Sequence, residues 1–184
     1  MNIRNSINIL ITLFLLGGLS SKAQLAVNNN GSLTLQIDDG LVVHSEGDFA
    51  NMNTSSLVFE SLGEPHLEFD GDFTNGTSAT LTAGLGLLDL TGSASQDLDF
   101  GGDDLYNLEI NNAAGGIFTR PATVNNEVQF ATGDFTTTDA NLLTFETGAT
   151  AAGATDASHV NGPVAKNFNT TALFTFPVGH GSTY

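Results

Sequence analysis

The chain has 184 residues, with twenty Asp and Glu against four Lys and Arg, a formal charge of −16, and neither cysteine nor tryptophan. A surface this negative repels phosphate backbones and anionic headgroups, which excludes nucleic acid and direct membrane-surface binding. Without cysteine, disulfides, thiolate metal sites and lipidation of an N-terminal cysteine are excluded as well.

Met1 to Ala23 reads as a secretory signal peptide. Arg4 supplies the positive charge, Ile9 to Leu16 the apolar stretch, and Ser21-Lys22-Ala23 a small-x-small cleavage site before Gln24. The apolar stretch is too short to span a bilayer, which needs about 20 residues, so the expectation is an exported chain with no transmembrane segment after signal removal. Arg4 and Lys22 leave with the signal. Of the 184 residues 161 remain, with Arg120 and Lys166 against all twenty carboxylates, a charge of −18.

From there on, apolar residues alternate with polar ones in short runs. Leu33-x-Leu35-x-Ile37, Leu57-x-Phe59, Leu67-x-Phe69, Leu98-x-Phe100, Leu108-x-Ile110 and Val128-x-Phe130 each place apolar side chains on one strand face. Turn-forming clusters such as Asp38 to Gly40, Gly101 to Asp104 and Asn111 to Gly116 separate them. No capped stretch follows the 3.6-residue period, so the mature chain is expected to be all β.

A repeat is superimposed on this pattern. Gly-Asp-Phe occurs at Gly47-Asp48-Phe49, Gly71-Asp72-Phe73 and Gly133-Asp134-Phe135. Ten residues after each Gly stands Leu57, Leu81 or Leu143, and twelve after it Phe59, Ala83 or Phe145. A weaker copy begins at Gly31. Such self-similarity marks one supersecondary unit, too small to bury its own apolar face, repeated along a solenoid. The Gly is expected to form a turn or bulge, the Asp to cap local backbone donors, and the three Phe to point into one core. A composition shift at residues 148–157 divides the mature chain into a repetitive β domain over 24–150 and a second β domain over 151–184.

The Gly-Asp-Phe turns, the segment Leu105-Tyr106-Asn107-Leu108-Glu109-Ile110-Asn111-Asn112 and a signal peptide ending Lys-Ala-Gln resemble the repeats of large secreted surface proteins of Bacteroidetes-type bacteria, adhesin-like and associated with type IX secretion. His159-Val160-Asn161-Gly162-Pro163-Val164-Ala165-Lys166 is similar to a junction element of that family, and Phe174-Thr175-Phe176-Pro177-Val178-Gly179 to the motif leading into its next domain. The resemblance implies right-handed parallel β-helix repeats followed by the start of a β-sandwich-like element, on the outer cell surface. In the family more chain and a sorting domain follow that motif, whereas this sequence stops at Tyr184, so the second domain is expected to be truncated.

Chemistry is sparse. Asp97, Asp99, Asp103 and Asp104 gather hard oxygens beside turn carbonyls, the one place where residue type favours calcium, although the spacing fits neither an EF-hand nor a calcium-binding nonapeptide. A solvated acidic turn is the competing reading. His44, His66, His159 and His180 show no metal-ligand spacing and are expected at the surface or in turns. No nucleophile–base set and no phosphate loop is present. The expectation is a non-enzymatic secreted or cell-surface structural or adhesion-type protein with no cofactor. Its partner would be an extracellular glycan or surface protein. The alternative is a carbohydrate-binding or carbohydrate-active β-helix domain, to be recognised by an acidic cleft lined with aromatics on one solenoid face.

Overall fold

A computed structural model describes residues 27–169 and 173–184; the expected signal peptide lies outside them. The described residues form strands β1 Val27–Asn29, β2 Thr34–Ile37, β3 Val42–Ser45, β4 Phe49–Asn51, β5 Ser56–Phe59, β6 His66–Phe69, β7 Phe73–Asn75, β8 Thr80–Thr82, β9 Leu87–Leu90 and β10 Gln96–Asp99. They continue as β11 Asp104–Asn111, β12 Gly116–Phe118, β13 Ala122–Thr132, β14 Phe135–Thr136, β15 Leu143–Phe145, β16 Thr150–Ala152, β17 Val160–Asn161, β18 Val164–Lys166 and β19 Val178–Gly179. Among these residues no helix is long and apolar enough to cross a membrane.

The chain winds as a β-solenoid of about seven turns. Each early coil contributes one strand to each of three sheets. Sheet A runs β1-β4-β7-β10-β12-β14-β17-β19, sheet B runs β2-β5-β8, and sheet C runs β3-β6-β9-β11-β13-β15-β18, with β16 also on β13. All these strand pairs are parallel, for example Phe49 against Phe73 and Leu57 against Leu81. From the fourth coil on, sheets B and C merge: β11 and β13 run round the corner, and β13 carries one extra residue between the pairs Leu105–Val124 and Asn107–Glu127, a β-bulge. Strand β16 straddles the expected boundary at 150, and β16, β17 and β18 pair in parallel with β13, β14 and β15, with β19 following on β17.

Alternation puts one stripe of each strand inside. Phe49, Phe73, Leu98 and Phe118 are successive register partners in sheet A, all essentially buried. Phe135 is also fully buried in sheet A, but its partner is Gly116, two residues before Phe118. Of the residues ten and twelve after each Gly, Leu57, Phe59, Leu81, Leu143 and Phe145 belong to the core and Ala83 packs against it. The rings form a chain along the axis: Phe49–Phe73 at 5.3 Å, Phe73–Phe100 at 5.1 Å, Phe100–Phe118 at 5.9 Å and Phe118–Phe135 at 5.2 Å. The long gap between Gly71 and Gly133 holds two further coils, entered by β10 and β12, in which Gln96-Asp97-Leu98 and Gly116-Ile117-Phe118 stand in its place.

Gly-Asp lies at the corner where sheet C hands over to sheet A, and its Asp acts across coils. The Asp48 carboxylate accepts the Asp72 N–H at 3.0 Å, Asp72 accepts the Asp97 N–H at 2.8 Å, and Asp134 accepts the His159 N–H at 3.1 Å. Each Asp thus ties its corner to the next turn of the solenoid, where local capping was expected. Two of the glycines are required for different reasons. A Cβ on Gly71 would sit 2.5 Å from the Asp48 nitrogen of the coil below, a close approach without positive φ. Gly133 has φ +91°, and its Cβ would fall 1.8 Å from the Asn112 carbonyl.

At the corner between sheets A and B runs a buried amide ladder. Asn29 Nδ2 donates to Asn51 Oδ1 at 2.7 Å, and Asn51 Nδ2 to Asn75 Oδ1 at 2.7 Å. Asn75 Nδ2 then donates to Asp103 Oδ2 at 3.0 Å. A tight corner leaves backbone groups without ladder partners, and a buried polar group without one is costly. Here the buried amides satisfy one another from coil to coil and also donate to Ser56 O and Thr80 O of sheet B.

Candidate functional site

The outer face of sheet C carries the one convergent group of metal-ligating side chains among the described residues. Parallel strands in register stack like positions roughly 4.8 Å apart. His44, Glu68, Asp89, Glu109 and Gln129 form one such outward row, and Val42, His66, Leu87, Asn107 and Glu127 the adjacent one. Three carboxylates therefore follow one another up the face, with His66 beside the middle one. Like charges directly opposite one another across strands are destabilising, and the row contains no Lys or Arg.

The side chains bound a groove of about 320 Å³ walled by Glu64, His66, Asn107, Glu109, Glu127 and Gln129. Asp89 faces outward yet is only 6% exposed. Its Oδ2 lies 3.6 Å from His66 Nε2, and its Oδ1 is buried without a hydrogen-bond partner, as is His66 Nε2. One ligand atom from each of His66, Glu68 and Asp89 lies within 4.8 Å of the other two. Glu68 is itself held by His44, whose Nδ1 is 3.0 Å from Glu68 Oε2 and whose Nε2 is 3.6 Å from Asp70 Oδ2.

The electrostatics follow from this crowding. The neighbouring Asp89 carboxylate raises the His66 pKa above its ordinary value against the opposing effect of burial, with Glu68 and Glu109 adding to the rise. Burial raises the Glu109 carboxyl, and the charges of Asp89 and Glu127 raise it further, while His66 lowers it. A carboxylate raised in the fold contributes stability below its unfolded pKa, and that contribution is lost as pH rises through the folded value. Near neutral pH the ionised Glu109 is therefore a net cost. Glu109→Gln is expected to raise the melting temperature of chelator-treated protein at neutral pH, and the gain should shrink at acid pH, below the ordinary carboxylate range. Thermal melts of the two proteins across pH check this; a melting temperature lowered at neutral pH would contradict it.

The residues singled out for calcium are not brought together. Asp97 and Asp104 are exposed on β10 and β11. The Asp99 carboxylate is taken up by the Gly101 N–H at 2.8 Å and by Arg120 at 3.4 Å. Asp103 ends the amide ladder and accepts the Leu81 N–H at 2.7 Å. These are structural duties, and they separate carboxylates that are close in sequence. The other Lys or Arg among the described residues, Lys166, donates to Glu146 O and Ala149 O and sits over the Phe174 ring at 5.0 Å.

Of the four histidines, His66 stands on the outer face of sheet C in the acidic groove, and His159 lies in the bend before β17, fully buried, its Nδ1 3.2 Å from Thr155 O. The groove was missed because Glu68, Asp89 and Glu109 lie far apart in the chain and each falls in an ordinary alternating strand; equal offsets from neighbouring core residues were the available signal. Comparison with protein-family models, curated proteins and solved structures gives no match, so the reading of this face rests on its own residues.

Proposed function

We propose that this chain is a non-enzymatic, exported structural module, a stiff β-solenoid that acts outside the cell as a stalk or presents an adhesive surface. The observation that carries the reading is the continuity of its ladders. Backbone pairing in sheet A extends from Val27 to Gly179, and the stacked rings and the Asn29–Asn51–Asn75 ladder reinforce it from coil to coil. A repeat array of this kind draws its stability from nearest-neighbour interfaces and resists bending. The signal-like first 23 residues and the high negative charge suit a soluble extracellular setting.

The acidic groove favours a second reading, a carbohydrate-binding or carbohydrate-active domain, because paired carboxylates on a β-helix face can serve glycan chemistry. The groove walls carry no Phe, Tyr or Trp for a sugar to stack on and no Lys or Arg to neutralise an acidic glycan, which favours the structural role. One experiment separates them. The full chain, expressed with its own N-terminus, should be recovered from the cell exterior with an intact mass beginning at Gln24, and should leave a polysaccharide panel unchanged. Glycan turnover that disappears in Asp89→Asn would replace the structural reading with the enzymatic one, and a mass retaining Ile9 to Leu16 would remove the exported one.

A further inference from the structure

We propose that His66, Glu68 and Asp89 form a binding site for a divalent transition-metal ion, zinc in the first instance, on the outer face of sheet C. The three side chains come from two adjacent strands, β6 and β9, and offer one imidazole nitrogen and two carboxylate oxygens within 4.8 Å of one another. Ligands of a tetrahedral ion at about 2.0–2.2 Å stand about 3.3–3.6 Å apart. The His66–Asp89 separation of 3.6 Å already meets that spacing, and the Glu68 ligand atom lies within 4.8 Å of both.

Asp89 is the second, independent observation. An outward-facing carboxylate that is 6% exposed, with one oxygen lacking any hydrogen-bond partner and the other 3.6 Å from a single imidazole, is costly for the fold. Asp89, which carries the unpartnered oxygen, and His66, whose Nε2 is also unpartnered, belong to the same cluster. A divalent cation would satisfy both and offset the repulsion along the Glu68–Asp89–Glu109 row. His44, bridging Glu68 and Asp70, orients the Glu68 ligand from outside.

The donor set selects the metal. Calcium and magnesium favour all-oxygen shells, whereas an imidazole with two carboxylates suits zinc and its transition-metal neighbours. Three protein ligands leave one tetrahedral position for water or an oxygen of a partner molecule. The inference goes beyond the structural role and stands or falls separately from it.

The test is a thermal melt and calorimetric titration of the chelator-stripped full chain with zinc chloride, in excess magnesium to mask the general attraction of an acidic surface. Zinc should bind with one-to-one stoichiometry and raise the melting temperature by about 5–10 °C at a concentration 100-fold above Kd. Asp89→Asn and His66→Gln should stay folded by circular dichroism, because both positions lie on the outer face of sheet C and leave the inward core stripe intact. Both should weaken zinc binding at least about tenfold, while the double variant D97N/D104N should bind as the parent does. No stabilisation of the parent, or equal stabilisation of the parent and Asp89→Asn, overturns the site. Loss of binding in D97N/D104N with retention in Asp89→Asn would also overturn it, by moving the site to the acidic turn.

Discussion

Phe73→Ala will lower the unfolding free energy by about 3–5 kcal/mol, whereas Thr74→Ala beside it will change it by under about 0.5 kcal/mol. Phe73 is fully buried and its ring meets three others: Phe49 at 5.3 Å, Phe69 at 5.2 Å and Phe100 at 5.1 Å. Deleting it costs the transfer energy of the ring and also the cavity. The cavity term should be large here, because backbone hydrogen bonds hold adjacent coils at a fixed spacing and the walls cannot close in. Thr74 points the opposite way on the same strand and makes none of these contacts. Chemical denaturation of both variants measures the contrast, and comparable losses at the two positions would show that the ring column does not dominate the core.

Asn51→Leu, close in volume, will cost about 3–5 kcal/mol by the same measurement. Asn51 is fully buried and uses both ends of its amide. Its Oδ1 accepts from Asn29 Nδ2 at 2.7 Å and from Ser55 Oγ at 2.8 Å, and its Nδ2 donates to Asn75 Oδ1 at 2.7 Å and to Thr80 O at 3.0 Å. Leucine would leave the facing groups buried without partners, at about 1–3 kcal/mol each. Ser55 Oγ keeps its bond to Asn29 O, which limits the total. The ladder is directional, each amide passing a donor to the next coil. That direction explains why it can end on a carboxylate, which only accepts: Asp103 Oδ2 takes the last donor, from Asn75, together with the Leu81 N–H. A loss below about 1 kcal/mol would mean that water reaches this corner and the amides are replaceable.

The alternating runs found their strands readily. Leu57-x-Phe59, Leu67-x-Phe69 and Val128-x-Phe130 lie in β5, β6 and β13 with the named side chains in the core, because period two is a property of the backbone itself. Gly-Asp-Phe marked a corner whose Asp partners were not legible. A short acidic side chain after Gly reads as a local cap, and only the stacking of coils brings the N–H of Asp72 over Asp48. The same limit hid the groove. His66, Glu68, Asp89 and Glu109 sit in unremarkable strand positions, while the eye-catching run Asp97 to Asp104 turned out to be divided between a turn, an ion pair and the end of the amide ladder.

By itself, then, the amino-acid sequence determined what depends on nearest neighbours along the chain: strands from alternation, corners from Gly, Asn and Asp, a repeated coil from the Gly-Asp-Phe spacing, and strong negative charge. Tertiary structure alone decided which residues of different coils face one another. Coil length varies, from 22 residues between Asn29 and Asn51 to 24 between Asn51 and Asn75, and β13 absorbs a bulge where sheets B and C merge. Register between coils is the accumulated result of those turn lengths. One residue more or less in a turn would carry Asp89 from the outer face to the core side, or past Glu68 and His66 altogether. A row of carboxylates around a histidine exists only because the intervening corners bring those positions level, and no local pattern encodes that.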